Sequence, residues 1–400
     1  MDTTLDPRWQ AALDHSRYLT NLFFARPELI AELAASWEQP LSEQLLLAPL
    51  NQEFPDDEAV RSTLRRLRQR AMAHIELRDL CGLAPLAEVV ESMTLLADVT
   101  TNFALDHYHR QLVDLYGEPL DKQGRPQRLM VVGMGKLGGR ELNVSSDVDY
   151  IFIYPEDGDT AGPKKSIENF DFFNRLGKRV IQALGDVTAD GQVFRVDMRL
   201  RPNGDSGPLV CSLDALENYF ITQGREWERY AWIKGRTMNA GDNLQPAWVT
   251  AMQSIARPFV FRKYLDFGAI NAMRDLHAQI RREVARKDMR DHVKLGPGGI
   301  REIEFMAQVF QLIRGGRDMA LQIRPTLPVL QLLVERKLIP AETEQELREA
   351  YVFLRRLEHR LQYVDDKQTH MLPVDTDARQ VIAHSMDFPD WPALLAVLDD

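Results

Sequence analysis

Gly133-Met134-Gly135-Lys136-Leu137-Gly138-Gly139-Arg140-Glu141-Leu142-Asn143-Val144-Ser145-Ser146-Asp147-Val148-Asp149 is a glycine-rich run that ends in two aspartates one residue apart. Gly133-x-Gly135-x-x-Gly138 matches the fingerprint of a dinucleotide-binding turn. The preceding Arg128-Leu129-Met130-Val131-Val132 reads as the buried strand such a turn requires. Glu156 stands near the place of a ribose-binding carboxylate. The spacing after the glycines argues against that fold. The next apolar strand, Tyr150-Ile151-Phe152-Ile153-Tyr154, begins too soon, because a crossover to a parallel neighbour needs at least about 10–12 residues. Asn143, Ser145 and Ser146 are turn and cap formers, ill suited to the interior of a crossover helix.

A metal-and-phosphate reading uses the same residues without strain. Side chains alternate along a strand, so Asp147 and Asp149 project to one face while Val148, Tyr150 and Phe152 line the other. Two close carboxylates repel unless a cation lies between them. Mg²⁺ prefers hard oxygen ligands and completes its shell with water and substrate phosphates. Gly135, Gly138 and Gly139 let the backbone approach a phosphate, with Ser145 and Ser146 as hydroxyl or N–H donors. An isolated Asp-x-Asp is ordinary solvated turn chemistry; following this loop, it reads as a metal pair.

A third carboxylate lies in Phe194-Arg195-Val196-Asp197-Met198-Arg199-Leu200-Arg201-Pro202. The alternation predicts a strand with Phe194, Val196, Met198 and Leu200 facing the core and the charged residues opposite. A solvent-facing edge strand with a local ion pair is the simpler alternative. One acid among three arginines beside a metal-binding pair suits phosphate chemistry better. Asp197 would complete a three-aspartate Mg²⁺ shell with Asp147 and Asp149, and Arg199 and Arg201 offer planar forks for phosphate oxygens. Lys136 is a further candidate phosphate contact.

A glycine-rich loop, Ser-Ser-Asp-Val-Asp and an Asp on a later strand resemble the polymerase-β-type nucleotidyltransferase superfamily. Four segments are similar to the bifunctional glutamine synthetase adenylyltransferase/adenylyl-removing family: the opening run with residues 150–154, Val196-Asp197-Met198-Arg199-Leu200-Arg201-Pro202, Trp227-Glu228-Arg229-Tyr230, and Gly298-Gly299-Ile300-Arg301-Glu302-Ile303-Glu304-Phe305. Phe353-Leu354-Arg355-Arg356-Leu357-Glu358 is a weaker echo. The likeness covers residues 100–373 and is specific only in combination.

That family has two homologous halves, and this chain resembles the N-terminal, adenylyl-removing one. The marks are Ser145-Ser146 before the acidic pair, Val-Asp-Met-Arg on the charged strand, and Ile-Arg-Glu-Ile-Glu-Phe after the double glycine. The resemblance implies Mg²⁺-dependent phosphorolysis: phosphate attacks the AMP–tyrosine bond of modified glutamine synthetase, giving ADP and the unmodified enzyme. Glutamine and a PII-type signalling protein are implied as regulators. The final run, 391–400, is amphipathic with no C-cap glycine, which suggests that a second half follows in the whole protein. A tyrosine phenolate, with an unperturbed pKa of about 10, leaves without a strong general base. No His or Cys is evident near the motifs to serve as one.

Composition bounds the alternatives. Four hundred residues allow two or three domains, and 44% hydrophobic content is that of an ordinary globular protein. A net charge of −10 argues against nucleic acid as a partner. The local exception, Arg61-Ser62-Thr63-Leu64-Arg65-Arg66-Leu67-Arg68-Gln69-Arg70, reads as the solvated face of a helix, with an acidic partner surface as the alternative. Cys81 and Cys211 are far apart and in no ligand-like spacing, which suits a reducing cytoplasm. No apolar run or leader pattern points to a membrane.

The fold expected is α+β and predominantly helical. A helical region spans 1–125, with helices over 9–24, 27–35, 58–80 and 86–116. A nucleotidyltransferase core with a small mixed sheet spans 126–255, its strands near 128–133, 148–154, 192–201 and 208–211 around a helix at 166–185. A helical bundle spans 256–400. Gly296-Pro297-Gly298-Gly299 breaks the last region before a helix at Ile300 and is either an anion-binding helix start or a tight turn. Glu302 and Glu304 are either helix-dipole partners or site residues. His107 and His109 face different directions on a helix and cannot share a metal there. Trp227, Tyr230 and Trp232 read as core or interface aromatics, with adenine stacking as the alternative, and Glu228, Arg229, Lys234 and Arg236 as further nucleotide or partner contacts. Three functions stay open: a deadenylylating phosphorylase, a forward transferase of AMP from ATP, and a regulatory module that binds nucleotide without catalysis.

Overall fold

The structure, a computed structural model, describes residues 5–162, 165–241, 244–263, 289 and 291–399. The helices are α1 (Gln10–His15), α2 (Arg17–Ala25), α3 (Glu28–Ala34), α4 (Glu43–Leu47), α5 (Asp57–Leu80), α6 (Leu86–Tyr116), α7 (Gly135–Gly138) and α8 (Asn169–Gly185). They continue with α9 (Leu213–Thr222), α10 (Glu226–Trp232), α11 (Pro246–Val260), α12 (Ile300–Arg314), α13 (Thr326–Glu335), α14 (Ala341–Tyr363), α15 (Thr376–Ser385) and α16 (Trp391–Asp399). The strands are β1 (Glu118–Pro119), β2 (Met130–Gly133), β3 (Val148–Tyr154), β4 (Thr160–Ala161), β5 (Val196–Asp197), β6 (Val210–Ser212) and β7 (Arg236–Thr237). Among the described residues no helix is long and apolar enough to cross a membrane.

The main sheet is mixed. β2 pairs antiparallel with β3 and with β7, and β3 pairs parallel with β5 and then with β6. The antiparallel β2–β3 pair, joined by the single turn of α7, rules out a βαβ dinucleotide unit, which needs parallel strands. Alternation along β2 and β3 sorts their side chains onto two cores. Val131, Tyr150, Phe152 and Tyr154 pack with α5, α6 and α8. Met130, Val132, Ile151 and Ile153 pack with α9, α10 and α11. The first of these cores runs continuously across residue 125. A third core holds α12 to α16 together, and a fourth surrounds Trp9 and Trp37.

Several expectations need correcting. The helix expected over 9–24 breaks at Ser16, whose backbone is extended and whose hydroxyl oxygen caps α2 by accepting the Leu19 N–H. The strand expected over 192–201 shrinks to β5, because beyond Asp149 the same edge of β3 is taken by β6, and the chain turns at Met198. Two short pieces escaped the sequence: β7, and the β1–β4 ladder closed by Gly117 at φ +84°. The arginine run of α5 is not a solvated face. Arg65 is wholly buried and donates to the carbonyls of Ala183, Asp186 and Gly191, while Arg68 pairs with Asp366 at 2.8 Å. The run's acidic partners lie within the chain: Asp186 and Asp190 after α8, Asp366 after α14, and Glu32 in α3.

Candidate active site

The β3–β5 register sets Asp149 directly beside Asp197, at the end of the sheet where the glycine-rich run enters. In a parallel pair, residues opposite one another share a face. Gly135 adopts φ +53°, and a Cβ there would lie 3.2 Å from Asp149 Oδ2, so the turn closes directly over that carboxylate. The Met134 N–H fixes the approach by donating to the Asp149 carbonyl at 2.9 Å.

The three aspartates are held differently. Asp147 Oδ1 accepts from Arg195 Nε at 2.6 Å, and Arg195 also donates to the Ser145 carbonyl. Asp197 accepts from the Arg199 backbone at 2.8 Å and from its guanidinium, which holds its carboxyl below the ordinary range. No described residue donates a hydrogen bond to the Asp149 carboxylate. Burial, followed by the charges of Asp197 and Asp147, pushes Asp149 up to about 6 against the pull of Lys294 and Arg199. Among the described residues, no three acidic, His or Cys side chains converge into a ready-made metal cluster. The expected three-aspartate shell is therefore a side-by-side pair plus a neighbour engaged by arginine. Two hard, mutually repelling oxygen donors still fit Mg²⁺, which commonly takes one or two carboxylates plus water and phosphate.

A cleft of about 650 Å³ opens on this pair. Of the expected site residues, Gly135, Lys136, Ser146, Asp147, Asp149, Asp197 and Arg199 line it. The others have different work. A Cβ on Gly138 would lie 1.8 Å from the Lys234 carbonyl, so that glycine admits a chain crossing and not a phosphate. Gly139 is likewise closed off by Glu141 and Lys234. Ser145 is buried, its N–H donating to Gln362. Arg201 turns back onto the carbonyls of Met198 and Gly207.

Beneath the turn lies a buried ion network. Lys136 Nζ sits 3.0 Å from Glu358, which also meets Arg355 at 3.3 Å and His370 at 2.8 Å. Burial opposes ionisation of Glu358, yet Lys136, His370 and Arg355 hold it well below the ordinary range. Arg355 donates to the Glu141 carbonyl, and Glu141 in turn pairs with Lys234. The sequence echo at 353–358 thus clamps the glycine-rich run from below.

The opposite wall comes from α10 and α12. Trp227, 40% exposed, and Tyr230 line it, with the Tyr230 ring 5.7 Å from Phe305. The ambiguity over the two glutamates resolves by position. Glu302 accepts from the Gly298 N–H, and Glu304 faces the cleft. Glu304 Oε1 is enclosed with no hydrogen-bond partner among the described residues. Burial opposes its charge, but Lys234, Lys136, Arg355 and Lys294 hold its carboxyl below the ordinary range. Lys294, Arg301 and Gln368 also reach the cleft, and sequence reasoning missed all three. The one available signal was a lysine two residues before a glycine break of anion-binding type.

Residues 8–250 match the family model Glutamate-ammonia ligase adenylyltransferase, and residues 274–399 match that of GlnD PII-uridylyltransferase. The bifunctional glutamine synthetase adenylyltransferase/adenylyl-removing enzyme of Aromatoleum aromaticum is 60% identical over 384 residues, 96% of this chain and 40% of the relative. Those of Nitrosomonas eutropha and Chromobacterium violaceum are 53% identical over 393 residues and 54% over 389, each covering 97% of this chain and 42% of the relative. The chain spans about two fifths of the length of the curated relatives it matches.

Proposed function

The chain belongs to the Glutamate-ammonia ligase adenylyltransferase family, and from that premise we propose that its cleft removes AMP from a tyrosine of glutamine synthetase by phosphorolysis, on a polymerase-β-like nucleotidyltransferase core. The observation that carries this reading is the lateral Asp149–Asp197 pair under the Gly135 turn. Direction is supported by the likeness of Ser145-Ser146, Val196-Asp197-Met198-Arg199 and Ile300-Arg301-Glu302-Ile303-Glu304-Phe305 to the adenylyl-removing half. Regulation by a PII-type signalling protein belongs to the same reading and rests on family resemblance.

Asp149 and Asp197, with Asp147 as the third ligand, would hold Mg²⁺, which when bound neutralises charge on the transferred phosphoryl group. Ser146 and the Gly135 backbone would fix the adenylyl phosphate over that pair. An oxygen of HPO₄²⁻ forms the new P–O bond of ADP as the bond from phosphorus to the tyrosine oxygen breaks. The phenolate takes the electron pair and receives the phosphate's proton. A leaving group with a pKa of about 10 asks for no strong base, and the side chains at the acidic floor offer none beyond the aspartates.

The test is incubation of the chain with adenylylated glutamine synthetase, phosphate and Mg²⁺. Release of ADP is expected. Incorporation of AMP from ATP would assign the forward reaction instead, and neither product would leave a nucleotide-binding module. Asp149→Asn should fold normally and lose at least about a hundredfold in rate; an active variant would sink the metal assignment.

A further inference from the structure

The cations around the cleft fall into two groups. Lys136 is committed to Glu358 and Lys234 to Glu141. Arg195 is committed to Asp147, Arg199 to Asp197, and Arg201 to the carbonyls of its own turn. Two cleft-lining cations, Lys294 and Arg301, have no carboxylate partner among the described residues.

The backbone builds these two side by side. The Arg301 N–H donates to the Lys294 carbonyl at 3.1 Å, and the Ile300 N–H to the Val293 carbonyl. That closure needs glycine. A Cβ on Gly299 would lie 2.8 Å from the carbonyl oxygens of both Gly296 and Val293, and Gly298 takes φ +69°. The loop is anchored in turn by the Val293 N–H on the His370 carbonyl, next to the Glu358 network. Lys294 lines the same cleft as Asp149 and Asp197 on the floor and Glu304 on the α12 wall.

We propose that Lys294 and Arg301 form the subsite for the second anion of the reaction, the attacking inorganic phosphate, a proposal that rests on the phosphorolytic reading above. The acidic floor repels a free dianion, so a phosphate entering beside the adenylyl group is favoured most by cations that no carboxylate already holds. A lysine point charge and an arginine fork supply them together. Glu304, whose side chain lines the same cleft, suits the protonated oxygen of HPO₄²⁻ as an acceptor. Sulfate at neutral pH has no such proton, so it should compete poorly.

The experiment measures ADP release against phosphate concentration for the unaltered chain, Lys294→Met, Arg301→Met and Lys294→Arg. Each methionine variant should raise the KM for phosphate tenfold or more and leave the KM for adenylylated glutamine synthetase within twofold. Lys294→Arg should recover most of the loss, which a purely structural lysine would not require. Equilibrium dialysis with labelled phosphate gives a readout independent of turnover. Weaker phosphate binding in Lys294→Met supports the subsite even if the unaltered chain releases no ADP, in which case only the phosphorolytic reading fails. An unchanged phosphate KM in both methionine variants of an active chain overturns the subsite and leaves that reading standing. A chain that binds no phosphate in dialysis also overturns it.

Discussion

Arg195–Asp147 and Lys136–Glu358 are ion pairs of similar length, 2.6 and 3.0 Å, on either side of one glycine turn. Side-chain exposure separates them: 37% and 31% in the first, 11% and 0% in the second. The exposed pair sits in high dielectric, where it is worth little and exchanges readily for water, metal or substrate. The buried pair has no such exchange, because either charge left alone would remain desolvated. Charge in this molecule is thus divided by burial. Pairs at the cleft mouth are available for chemistry, and those beneath the turn hold it in place.

Glu358→Ala breaks the comparison hardest. It strands Lys136 and deprives Arg355 and His370 of a partner, so denaturant unfolding should show a loss of about 3–5 kcal/mol. A loss below about 1 kcal/mol would mean that the network is not structural. The double variant Lys136→Met with Glu358→Leu sharpens the point, since a well-packed apolar pair often restores stability. Its unfolding midpoint should return most of the way to that of the unaltered chain.

The same buried network continues through Arg360, paired with Asp79 at 2.8 Å, to His15. Burial, with Arg360 adding to it, pulls His15 down to about 4 against the influence of its Arg360 carbonyl contact and of Asp79. The folded state therefore keeps His15 neutral while the unfolded chain takes up a proton near 6.5. Stability from this residue is fully present above about 6.5 and is lost as pH falls towards 4. The interval corresponds to at most about 3 kcal/mol, at about 1.4 kcal/mol per pH unit. Unfolding free energy measured from pH 7 to 4 should fall less steeply in His15→Asn; equal slopes would remove His15 from the account.

What the sequence made legible divides along the same line. That Asp149 and Asp197 lie together was legible because alternation and spacing are local properties of a strand, and their neighbourhood follows from one register. The roles of Gly138, Gly139 and Arg201 were misread because a phosphate and a crossing backbone ask the same thing of a glycine, and only the fold brings the Lys234 carbonyl there. Arg65 and Arg68 looked solvated for a related reason: arginine runs carry no mark of the carbonyls or acids that will cover them. Lys294 and Arg301 reach the cleft from more than 90 positions beyond Asp197. No periodicity links segments so far apart. The strand of 192–201 failed through competition, since β6 occupied the edge it needed.

Arg199 is the gentlest test of the division. Its side chain is 73% exposed, and its guanidinium pairs with Asp197, which also accepts the Arg199 backbone N–H at 2.8 Å. Arg199→Met removes the guanidinium and leaves the backbone donor, so Asp197 keeps part of its support. An exposed pair of this kind contributes about 0–1 kcal/mol, and salt should weaken it further. Unfolding of Arg199→Met should match the unaltered chain within about 1 kcal/mol, and more closely still in 0.5 M salt, where the screening length falls to about 4 Å. A cost approaching that of Glu358→Ala would place Arg199 among the structural charges, and the division by burial would no longer hold at the cleft mouth.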